Sequence, residues 1–470
     1  MGNRGSSRRF SRRGVLAGMG GLAAAPGAVP GAAKPPGGQR PNIIIIQMDD
    51  MRSADWPLLR RTRKVLRGAR WFPSYVVGYS YCAPSRASLL TGQYAHNHGV
   101  VAADQPTVYA QWRGPNHDRG AIGAVLRAAG YRTAAIGKYM NGYSVKDGPL
   151  PGWNRWAVVD SHEHFGPRIA VDGDVVETPR EVFGLEALAG YVSEFVSSVP
   201  ADAPFFLLFS PVEPHGPIRT ERSTRRLFKR VMLPHTPAFN EADVSDKPDY
   251  ISSRPLLDQA TTLHLEEWNR GRMRMMDSAD RIIARMLGEM QAAGRLDNAV
   301  VFVLSDNGYL LGEHRLSAKH APYTPSVVIP MLAWGRGFHA GRDLRLVSNV
   351  DIAPTCAELA GTRMPAADGV SLLGPRRRDF VPMMRDGHAG LPGEPGAGHG
   401  IRSRDLFYYE LLTGERELYD LRADPMELDN LLPPGFTGEA YPPGLPSSLA
   451  LRDLAAAIGS CRGESCTRAG

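Results

Sequence analysis

The sequence contains few of the residues on which small disulfide-rich or zinc-binding proteins depend. It has four cysteines among 470 residues, which excludes a disulfide scaffold, and no cysteine or histidine pair has the spacing of a structural zinc site. Beyond the N-terminal leader, no uninterrupted apolar run approaches the ~18 residues that a membrane helix needs. The hydrophobic fraction of 43% is ordinary for a globular protein, and this length provides one large core or two smaller ones.

An excess of one charge sign is absent from most of the chain. The formal net charge is +7, from 55 basic and 48 acidic residues. Residues 1–40 contain seven of the basic residues and no acidic residue, so positions 41–470 hold 48 of each sign. The net charge therefore gives no support to nucleic-acid binding, and we expect no nucleic-acid partner.

The leader at residues 1–40 accounts for this asymmetry. Arg12 and Arg13 follow a serine and precede a Gly/Ala-rich, mildly apolar run that extends to about Val29. This order is typical of an export signal and resembles the signal read by the twin-arginine export machinery. We expect residues 1–40 to be a signal peptide and linker, with a disordered basic terminus as the alternative. The mature protein would then be secreted, periplasmic or on the surface of a bacterium, without a membrane span.

From Pro41 onward, short apolar runs alternate with helical patterns. The runs are typical of strands that are buried on both faces of a sheet; they occupy residues 43–46, 131–136, 205–209 and 300–304. Helical spacing is found at residues 119–129, 182–198 and 256–293. This alternation predicts an α/β domain over residues 41–374, with a mostly parallel sheet covered by helices on both faces. Residues 211–255 are charged and weakly periodic, which predicts a long loop over the site.

Residues 375–470 follow a different pattern. The alternation weakens, and residues 406–421 predict a hairpin that turns at Thr413-Gly414. We expect a small antiparallel C-terminal α+β subdomain and a tail. In the tail, Cys461 and Cys466 flank four residues, and they either form a disulfide after export or remain free.

Acidic and amide side chains follow two of the predicted strands. Asp49 and Asp50 come soon after the first strand, and Asp306 and Asn307 follow the strand at 300–304. If these strands are neighbours, three carboxylates and one amide converge, since ligands of such sheets gather at the carboxyl ends of the strands. Oxygen ligands suit calcium or magnesium. Helix caps or turns are the alternative interpretation of these residues.

A second motif begins at Cys82, in the order Cys-Ala-Pro-Ser-Arg, and continues as Ala-Ser-Leu-Leu-Thr-Gly at 87–92. Pro84 and the apolar spacing place Cys82 at or just before the N-terminus of a helix. That position favours negative charge on a nucleophile or on a bound anion. Arg86 lies one turn further along and can approach the same anion. A small cysteine packed in the core is the alternative.

This motif closely resembles the signature of the type I sulfatases, in which the cysteine is converted to formylglycine. The resemblance extends along most of residues 41–430 through short motifs in the family's order. These are Asn42 to Ile46 with Asp49-Asp50, Gly137-Lys138-Tyr139, Pro214-His215, Ser305 to Gly308 with Gly312, and Glu417 to Leu421 with Asp424-Pro425. Residues 96–98, 137–141 and 305–309 are most similar to the glucosamine-6-sulfatase branch. The resemblance implies an alkaline-phosphatase-like α/β core.

The resemblance also implies a metal site and a modified residue. Asp49, Asp50, Asp306, Asn307 and the modified Cys82 would bind one calcium ion, with magnesium as an alternative. Conversion of the cysteine implies a formylglycine-generating enzyme, or an equivalent, as a partner during maturation. One hydroxyl of the hydrated aldehyde would attack sulfur, and deprotonation of the other would then expel sulfate.

Four more residues receive catalytic roles through the resemblance. Arg86 would hold the formylglycine hydrate, and Lys138 and Lys319 would bind sulfate oxygens. His215 would protonate the leaving alcohol. These cations offset the single negative charge of a sulfate ester during attack on sulfur.

The chain departs from the family pattern at two positions. Met140 stands where many sulfatases have a histidine two residues after the lysine, so the base for sulfate release is open, and His96 and His98 are candidates. The segment after Lys319 also lacks the usual tyrosine and acidic residues.

These observations predict an exported, calcium-dependent sulfatase. Its substrate would be a sulfated carbohydrate, of the N-acetylglucosamine-6-sulfate type, or an aryl sulfate. One alternative is a phosphonate or phosphate-ester hydrolase of the same superfamily, which can share the Cys82 motif. Another is an inactive homologue that binds sulfated glycans.

Overall fold

The computed structural model describes residues 39–101, 105–329, 331–375, 377–385, 396–436 and 445–468. The predicted signal peptide lies almost entirely outside these residues and stays a prediction. The strands are β1 (Asn42–Met48), β2 (Arg70–Phe72), β3 (Tyr75–Val76), β4 (Arg132–Lys138), β5 (Arg155–Val159), β6 (Arg168–Val171), β7 (Asp174–Glu177), β8 (Phe205–Ser210), β9 (Ala299–Ser305), β10 (Leu310–Leu311), β11 (Ser317–Ala318), β12 (Met331–Gly335), β13 (Gly341–Arg342), β14 (Val347–Ser348), β15 (Val381–Arg385), β16 (Gly398–Arg402), β17 (Leu406–Leu411) and β18 (Arg416–Asp420).

The helices are α1 (Arg60–Val65), α2 (Cys82–Thr91), α3 (Ala95–His98), α4 (Gln105–Arg113), α5 (His117–Gly120), α6 (Ile122–Ala128), α7 (Gly184–Ser198), α8 (Asp249–Ser252), α9 (Gln259–Ala292), α10 (Thr324–Val327), α11 (Ile352–Leu359), α12 (Ser448–Gly459) and α13 (Ser465–Arg468). Two short 3₁₀ helices span Ser53–Leu58 and Asn349–Asp351.

Ten strands form the central sheet, in the order β13-β2-β12-β9-β1-β8-β4-β5-β6-β7. The five strands from β9 to β5 in this order are mutually parallel. The sheet becomes antiparallel on either side, where β12 pairs with β9 and β6 pairs with β5. The predicted fold class, a mostly parallel sheet in an alkaline-phosphatase-like α/β core, is confirmed.

The apolar run in β1 shows why this sheet is covered on both faces. Ile43 and Ile45 pack in one core with residues of α2, α6 and α11. Ile44 and Ile46 pack in a second core with residues of α7 and α9. All four side chains are fully buried. Because successive side chains of a strand point to opposite faces, an uninterrupted apolar run requires a helical layer on each side.

One of the three predicted helical segments is divided in the structure, and the other two are each one helix with slightly different ends. The helical pattern at residues 119–129 is divided into α5 and α6 by Ala121, which has an extended backbone conformation. The long helical pattern at 256–293 is confirmed as α9, whose N-terminus is capped by Asp258 through the backbone N–H of Thr261. Between β8 and α9, residues 211–258 contain one short helix, α8.

A separate antiparallel sheet lies near the C-terminus, in the order β15-β16-β17-β18. The predicted hairpin is confirmed as β17 and β18, with Gly414 in the left-handed region of φ at the turn. Successive side chains of β17 point to opposite faces, so this sheet lies between two cores. Leu406 and Tyr408 pack with α12, whereas Phe407 and Tyr409 pack in the main core. The domain boundary at residue 374 stays a prediction.

The remaining cysteines are buried. Cys461 and Cys466 form a disulfide, and Cys356 in α11 is fully buried in the core. Within the described part of the chain, no helix combines the length and the apolar character needed to span a bilayer.

Burial on both faces makes the centre of β1 sensitive to truncation. We predict that Ile44→Ala lowers the free energy of unfolding by about 2–5 kcal/mol, because it leaves a cavity between the sheet and α9. Leu412→Ala, at a position that is 74% exposed, should change it by less than about 0.5 kcal/mol. Urea unfolding followed by circular dichroism measures both, and equal losses would contradict this description of the core.

Candidate active site

The acidic residues meet because β1 and β9 are adjacent and parallel. Their register pairs Met48 with Ser305, so the residues that follow both strands emerge at the same edge of the sheet. The backbone N–H of Asp50 donates to Asp306 Oδ1 at 3.2 Å, and Asn307 Nδ2 donates to Asp50 Oδ1 at 2.6 Å. Asp50 itself has a φ of 68°, a conformation that is costly for a residue with a side chain.

Helix α2 brings the Cys82 motif to this edge. Cys82 is the first residue of the helix, as its sequence predicts, and its Sγ lies 3.5 Å from Asp49 Oδ1. One turn later, Arg86 donates from Nε to Asp306 Oδ2 at 2.9 Å and from Nη1 to the carbonyl of Lys138 at 2.8 Å. The guanidinium is 1% exposed. Arg86 therefore ties α2 to β9 and to the end of β4.

Two buried lysines complete the cluster. Lys138, the last residue of β4, places Nζ 2.5 Å from Asp49 Oδ2. Lys319 binds Asp50 Oδ1 and also lies 2.8 Å from Cys82 Sγ. The structure thus brings Lys319 beside the cysteine, although the sequence after it departs from the family pattern.

His215 stands at the rim of the cluster. Its Nδ1 donates to the carbonyl of Gly216, so Nε2 faces inward, 3.8 Å from Asp50 Oδ2. The ring of His162 stacks on that of His215, with 4.1 Å between centroids. This stacking restricts the rotation of the His215 ring.

A second histidine holds the backbone of His215. His164 Nε2 lies 2.9 Å from the carbonyl of His215, and Nδ1 lies 3.0 Å from Glu213 Oε1. A carbonyl and a carboxylate only accept hydrogen bonds, so both ring nitrogens must donate, which requires the charged imidazolium. Although burial opposes the charged form, the hydrogen bond and charge of Glu213 raise the pKa of His164 above its ordinary value.

The charges of the cluster stabilise one another. Burial raises the pKa of Asp49, but attraction to Lys138, His215 and Arg86 outweighs burial and holds that pKa well below its ordinary value. Burial likewise disfavours charged Lys319, but Asp50 and the other anions raise its pKa well above the usual range. Asp49, Asp50, Lys138 and Lys319 are therefore charged at neutral pH. Asp306 differs, because burial and the charge of Asp49 raise its pKa above the ordinary value despite its ion pair with Arg86.

The unmodified thiol is a poor nucleophile here. Burial, together with the negative charge of Asp49, raises the pKa of Cys82 to about 12. The thiol is therefore protonated at neutral pH, whereas cysteine nucleophiles react as thiolates. A role for Cys82 as attacking group requires a different functional group at this position.

The same residues fit a hard divalent cation. Asn307 Oδ1 is buried and has no hydrogen-bond partner among the described residues. Single ligand atoms of Asp49, Asp50, Cys82 and His215 all lie within 4.8 Å of one another. Asp306 is not in this group, and both of its carboxylate oxygens accept hydrogen bonds within the cluster. Carboxylate and amide oxygens are the donors that calcium and magnesium prefer.

The structure does not bring His96 and His98 to the cluster. His96 Nε2 is bonded to the carbonyl of Cys461, and His98 Nε2 lies 3.0 Å from Ser88 Oγ. Burial, with the neighbouring His117, lowers the pKa of His98 to about 3. These contacts, with that of His98 Nδ1 to the N–H of Val100, give no support to either residue as the base that the Met140 position leaves unassigned.

Sequence reasoning missed the residues that support His215. His162, His164 and Glu213 lie outside the motifs, and the one available signal was the His-Glu-His order at 162–164. It also missed Arg272 of α9, which is 1% exposed and donates to the carbonyl of Asp50 at 2.8 Å. An arginine on the buried face of an amphipathic helix was the signal there.

Comparison with known proteins agrees with this arrangement. The sulfatase family model matches residues 41–362, so the chain belongs to the sulfatase family, as the sequence predicts. It is 30% identical over 351 residues to a putative extracellular sulfatase Sulf-1 homolog of Caenorhabditis elegans, covering 71% of this chain and 48% of that protein. It is 26% identical over 362 residues to human N-acetylglucosamine-6-sulfatase, covering 72% and 64%. The chain thus spans about half to two thirds of the length of these relatives.

Solved structures share the fold. One, described as a complex with its substrate D-glucosamine-2-N,6-O-disulfate, superimposes with a TM-score of 0.71 at 18% identity, covering 83% of this chain and 93% of that one. Another is a phosphonate monoester hydrolase from Silicibacter pomeroyi, with a TM-score of 0.66 at 20% identity and coverage of 83% and 91%.

The charged state of His164 makes its contribution to stability depend on pH. Because its pKa is raised in the folded protein, this contribution is complete below about pH 6.5, the pKa of an unfolded histidine, and is lost as pH rises through the folded pKa. We predict that Glu213→Gln lowers the free energy of unfolding more at about pH 5.5 than at about pH 8.5. Urea unfolding at both pH values measures the difference, and an equal cost at both would show that His164 is neutral.

Proposed function

We propose that this protein hydrolyses sulfate esters, with Cys82 converted to formylglycine. The observation that carries the proposal is the buried cluster in which three carboxylates, two lysines and an arginine surround the first residue of α2. A helix N-terminus and three cations favour an anionic ester in front of Cys82. The hydrated aldehyde supplies a hydroxyl that attacks sulfur and a second hydroxyl whose deprotonation releases sulfate. The raised thiol pKa supports the modification, since the thiol itself is protonated.

The other residues of the cluster have roles that follow from their positions. Arg86, fixed between Asp306 and the end of β4, holds the side chain at position 82 in place. Lys138 and Lys319 bind the sulfate oxygens and offset the charge that develops on them. His215 donates a proton from Nε2 to the departing oxygen as the charged imidazolium, since its Nδ1–H is already donated to the carbonyl of Gly216. Burial lowers the pKa of His215, whereas the charges of Asp49 and Asp50 favour the charged form.

Asp49, Asp50, Asp306, Asn307 and the modified Cys82 would hold one calcium ion, or magnesium in its place. A bound divalent cation there would act as a Lewis acid toward a sulfate oxygen. The unpartnered oxygen of Asn307 supports this assignment.

The substrate we propose is a sulfated sugar. Relatives named N-acetylglucosamine-6-sulfatase and a structural neighbour with a glucosamine disulfate substrate support this class. A relative named arylsulfatase from Volvox carteri, 28% identical over 507 residues, supports aryl sulfates as a second proposed substrate class.

We also propose that the protein is exported through the twin-arginine machinery and is matured by a formylglycine-generating enzyme or an equivalent. The basic leader supports export. Relatives named extracellular sulfatases in Caenorhabditis elegans and Drosophila melanogaster support an extracellular or periplasmic location.

A second candidate is hydrolysis of phosphonate or phosphate esters, which the structural likeness to phosphonate monoester hydrolases favours. Turnover distinguishes the two. We predict the highest kcat/KM on N-acetylglucosamine-6-sulfate or 4-nitrophenyl sulfate, lower values on the corresponding phosphate and phosphonate esters, and none with Cys82→Ala. A phosphonate ester as the best substrate would favour the second candidate.

Removal of one carboxylate should remove metal and turnover together. We predict that Asp306→Asn loses bound calcium. Its kcat/KM should fall by more than the roughly 10–100-fold that is typical when a residue that hydrogen-bonds to a metal ligand is replaced. Asp118→Asn is the matched control, because Asp118 is buried but binds Trp112 and Tyr139 instead. Calcium content by mass spectrometry and turnover measure the effect. Normal calcium content in Asp306→Asn would show that Asp306 is not a ligand.

The role of His215 can be separated from a structural one through the leaving group. A sugar alkoxide needs a proton to depart, whereas nitrophenolate leaves unaided. We predict that His215→Ala reduces kcat/KM by about 10²–10⁴-fold on a sugar sulfate, and far less on 4-nitrophenyl sulfate. His235→Ala, an exposed histidine of the same loop, should leave both unchanged. Equal losses on both substrates would exclude His215 as the acid.

A further inference from the structure

The loop that begins at His215 carries a concentration of positive charge that the catalytic roles do not use. Residues 219–230 contain six basic residues and one acidic residue, although positions 41–470 as a whole are balanced. We call the six basic residues the basic tract: Arg219, Arg222, Arg225, Arg226, Lys229 and Arg230. All six side chains are exposed. This local excess is therefore presented to solvent.

The acidic groups beside the tract are already paired. Glu221, the acidic residue within it, binds Arg281 of α9 at 2.7 Å. On the same helix, Glu267 binds Arg270 and Arg274 at 2.9 and 2.8 Å. Within the described part of the chain, the last five residues of the tract have no hydrogen-bond or ion-pair partner. Their charge is thus available to a ligand.

The tract is held in place on α9. Just before the tract, Ile218 packs so closely on α9 that it would clash with any side chain added at Gly271. At the end of the tract, Arg274 donates to the carbonyl of Leu227 and Arg270 donates to that of Val231, both at 3.1 Å. Turns within the segment, such as that closed by Leu227 N–H and Thr224 O at 2.9 Å, order the intervening residues.

The tract is also close to the candidate active site. Arg219 is four residues beyond His215, a span of at most about 14 Å. The two residues of α9 that contact the end of the tract, Arg270 and Arg274, are each two positions from Arg272, which donates to the carbonyl of Asp50. The tract therefore begins beside the catalytic cluster and returns to the same part of α9.

We propose that the basic tract binds the additional sulfate groups of a polysulfated glycan while one of its sulfate esters occupies the active site. The inference rests on the proposed function, since it assigns that site a polyanionic chain as substrate. Five of the six residues are arginines, whose planar fork suits tetrahedral oxyanions. Nucleic acid is less favoured: single-strand binders interleave aromatic side chains with basic ones, and residues 219–230 contain one, the half-buried Phe228.

Binding of a fluorescent heparin octasaccharide tests the proposal in the Cys82→Ala protein, which cannot turn it over. The triple variant R222Q/R225Q/R226Q should weaken binding by about 3- to 100-fold, the range expected for three exposed ion pairs. R222K/R225K/R226K retains the charge but loses the planar fork, so its affinity should lie between those of the unsubstituted tract and the glutamine variant. The control R342Q/R377Q/R404Q removes three exposed cations elsewhere and should leave affinity unchanged.

Several results would overturn the proposal. They are an equal loss in the control, a lysine variant as weak as the glutamine variant, and tighter binding of single-stranded DNA of the same charge. The proposal would also be overturned if the protein with an unsubstituted tract bound the octasaccharide equally well at about 50 and about 300 mM salt. This measurement does not depend on the folding of any tract variant. Hydrolysis of 4-nitrophenyl sulfate by the wild-type protein reports separately on the proposed function, so either idea can fail alone.

Discussion

The burial of three carboxylates at the carboxyl ends of β1 and β9 is the constraint on which the site depends. Asp49, Asp50 and Asp306 are each at most 2% exposed, and an unpaired buried carboxylate is strongly destabilising. Each is therefore paired with a cation from another element of the fold. The cations are Lys138 at the end of β4, Lys319 in the loop after β11, and Arg86 in α2. These ion pairs therefore bring the residues of the candidate site together.

This pairing also sets the electrostatic character of the cluster. Three carboxylates face three cations, and the protonated thiol of Cys82 adds no charge. A divalent cation would add two positive charges, and an anionic sulfate ester would return one negative charge. A site balanced without ligands would therefore attract the ester once a cation is bound, and the exposed arginines on the loop after His215 would extend this attraction beyond the site.

The parts of the fold that could be predicted from the sequence are those with strong local patterns. β1, β4, β8 and β9 are buried on both faces, so each appears as an apolar run. β2, β12 and β13 at one side of the sheet are two to five residues long, and such short segments carry no distinguishable period. Their pairing is set by the core that they cover rather than by their own residues.

The candidate site divides in the same way. Asp49, Asp306 and Cys82 follow strands or begin a helix, and their motifs identify them. His164 and Glu213 act through hydrogen bonds that exist only once the loop after β8 has folded against residues 162–164. The base candidates His96 and His98 gain no support from the structure, because their ring nitrogens contact the carbonyl of Cys461 and the hydroxyl of Ser88 rather than residues of the cluster.

The most direct test of this account is the chemical state of position 82 in active protein. Peptide mass spectrometry across Cys82, on protein purified from cells that contain a formylglycine-generating enzyme, should show an aldehyde in place of the thiol. Across preparations, kcat on 4-nitrophenyl sulfate, calculated per total protein, should rise in proportion to the modified fraction. Full activity in a preparation that contains only the unmodified thiol would contradict the account.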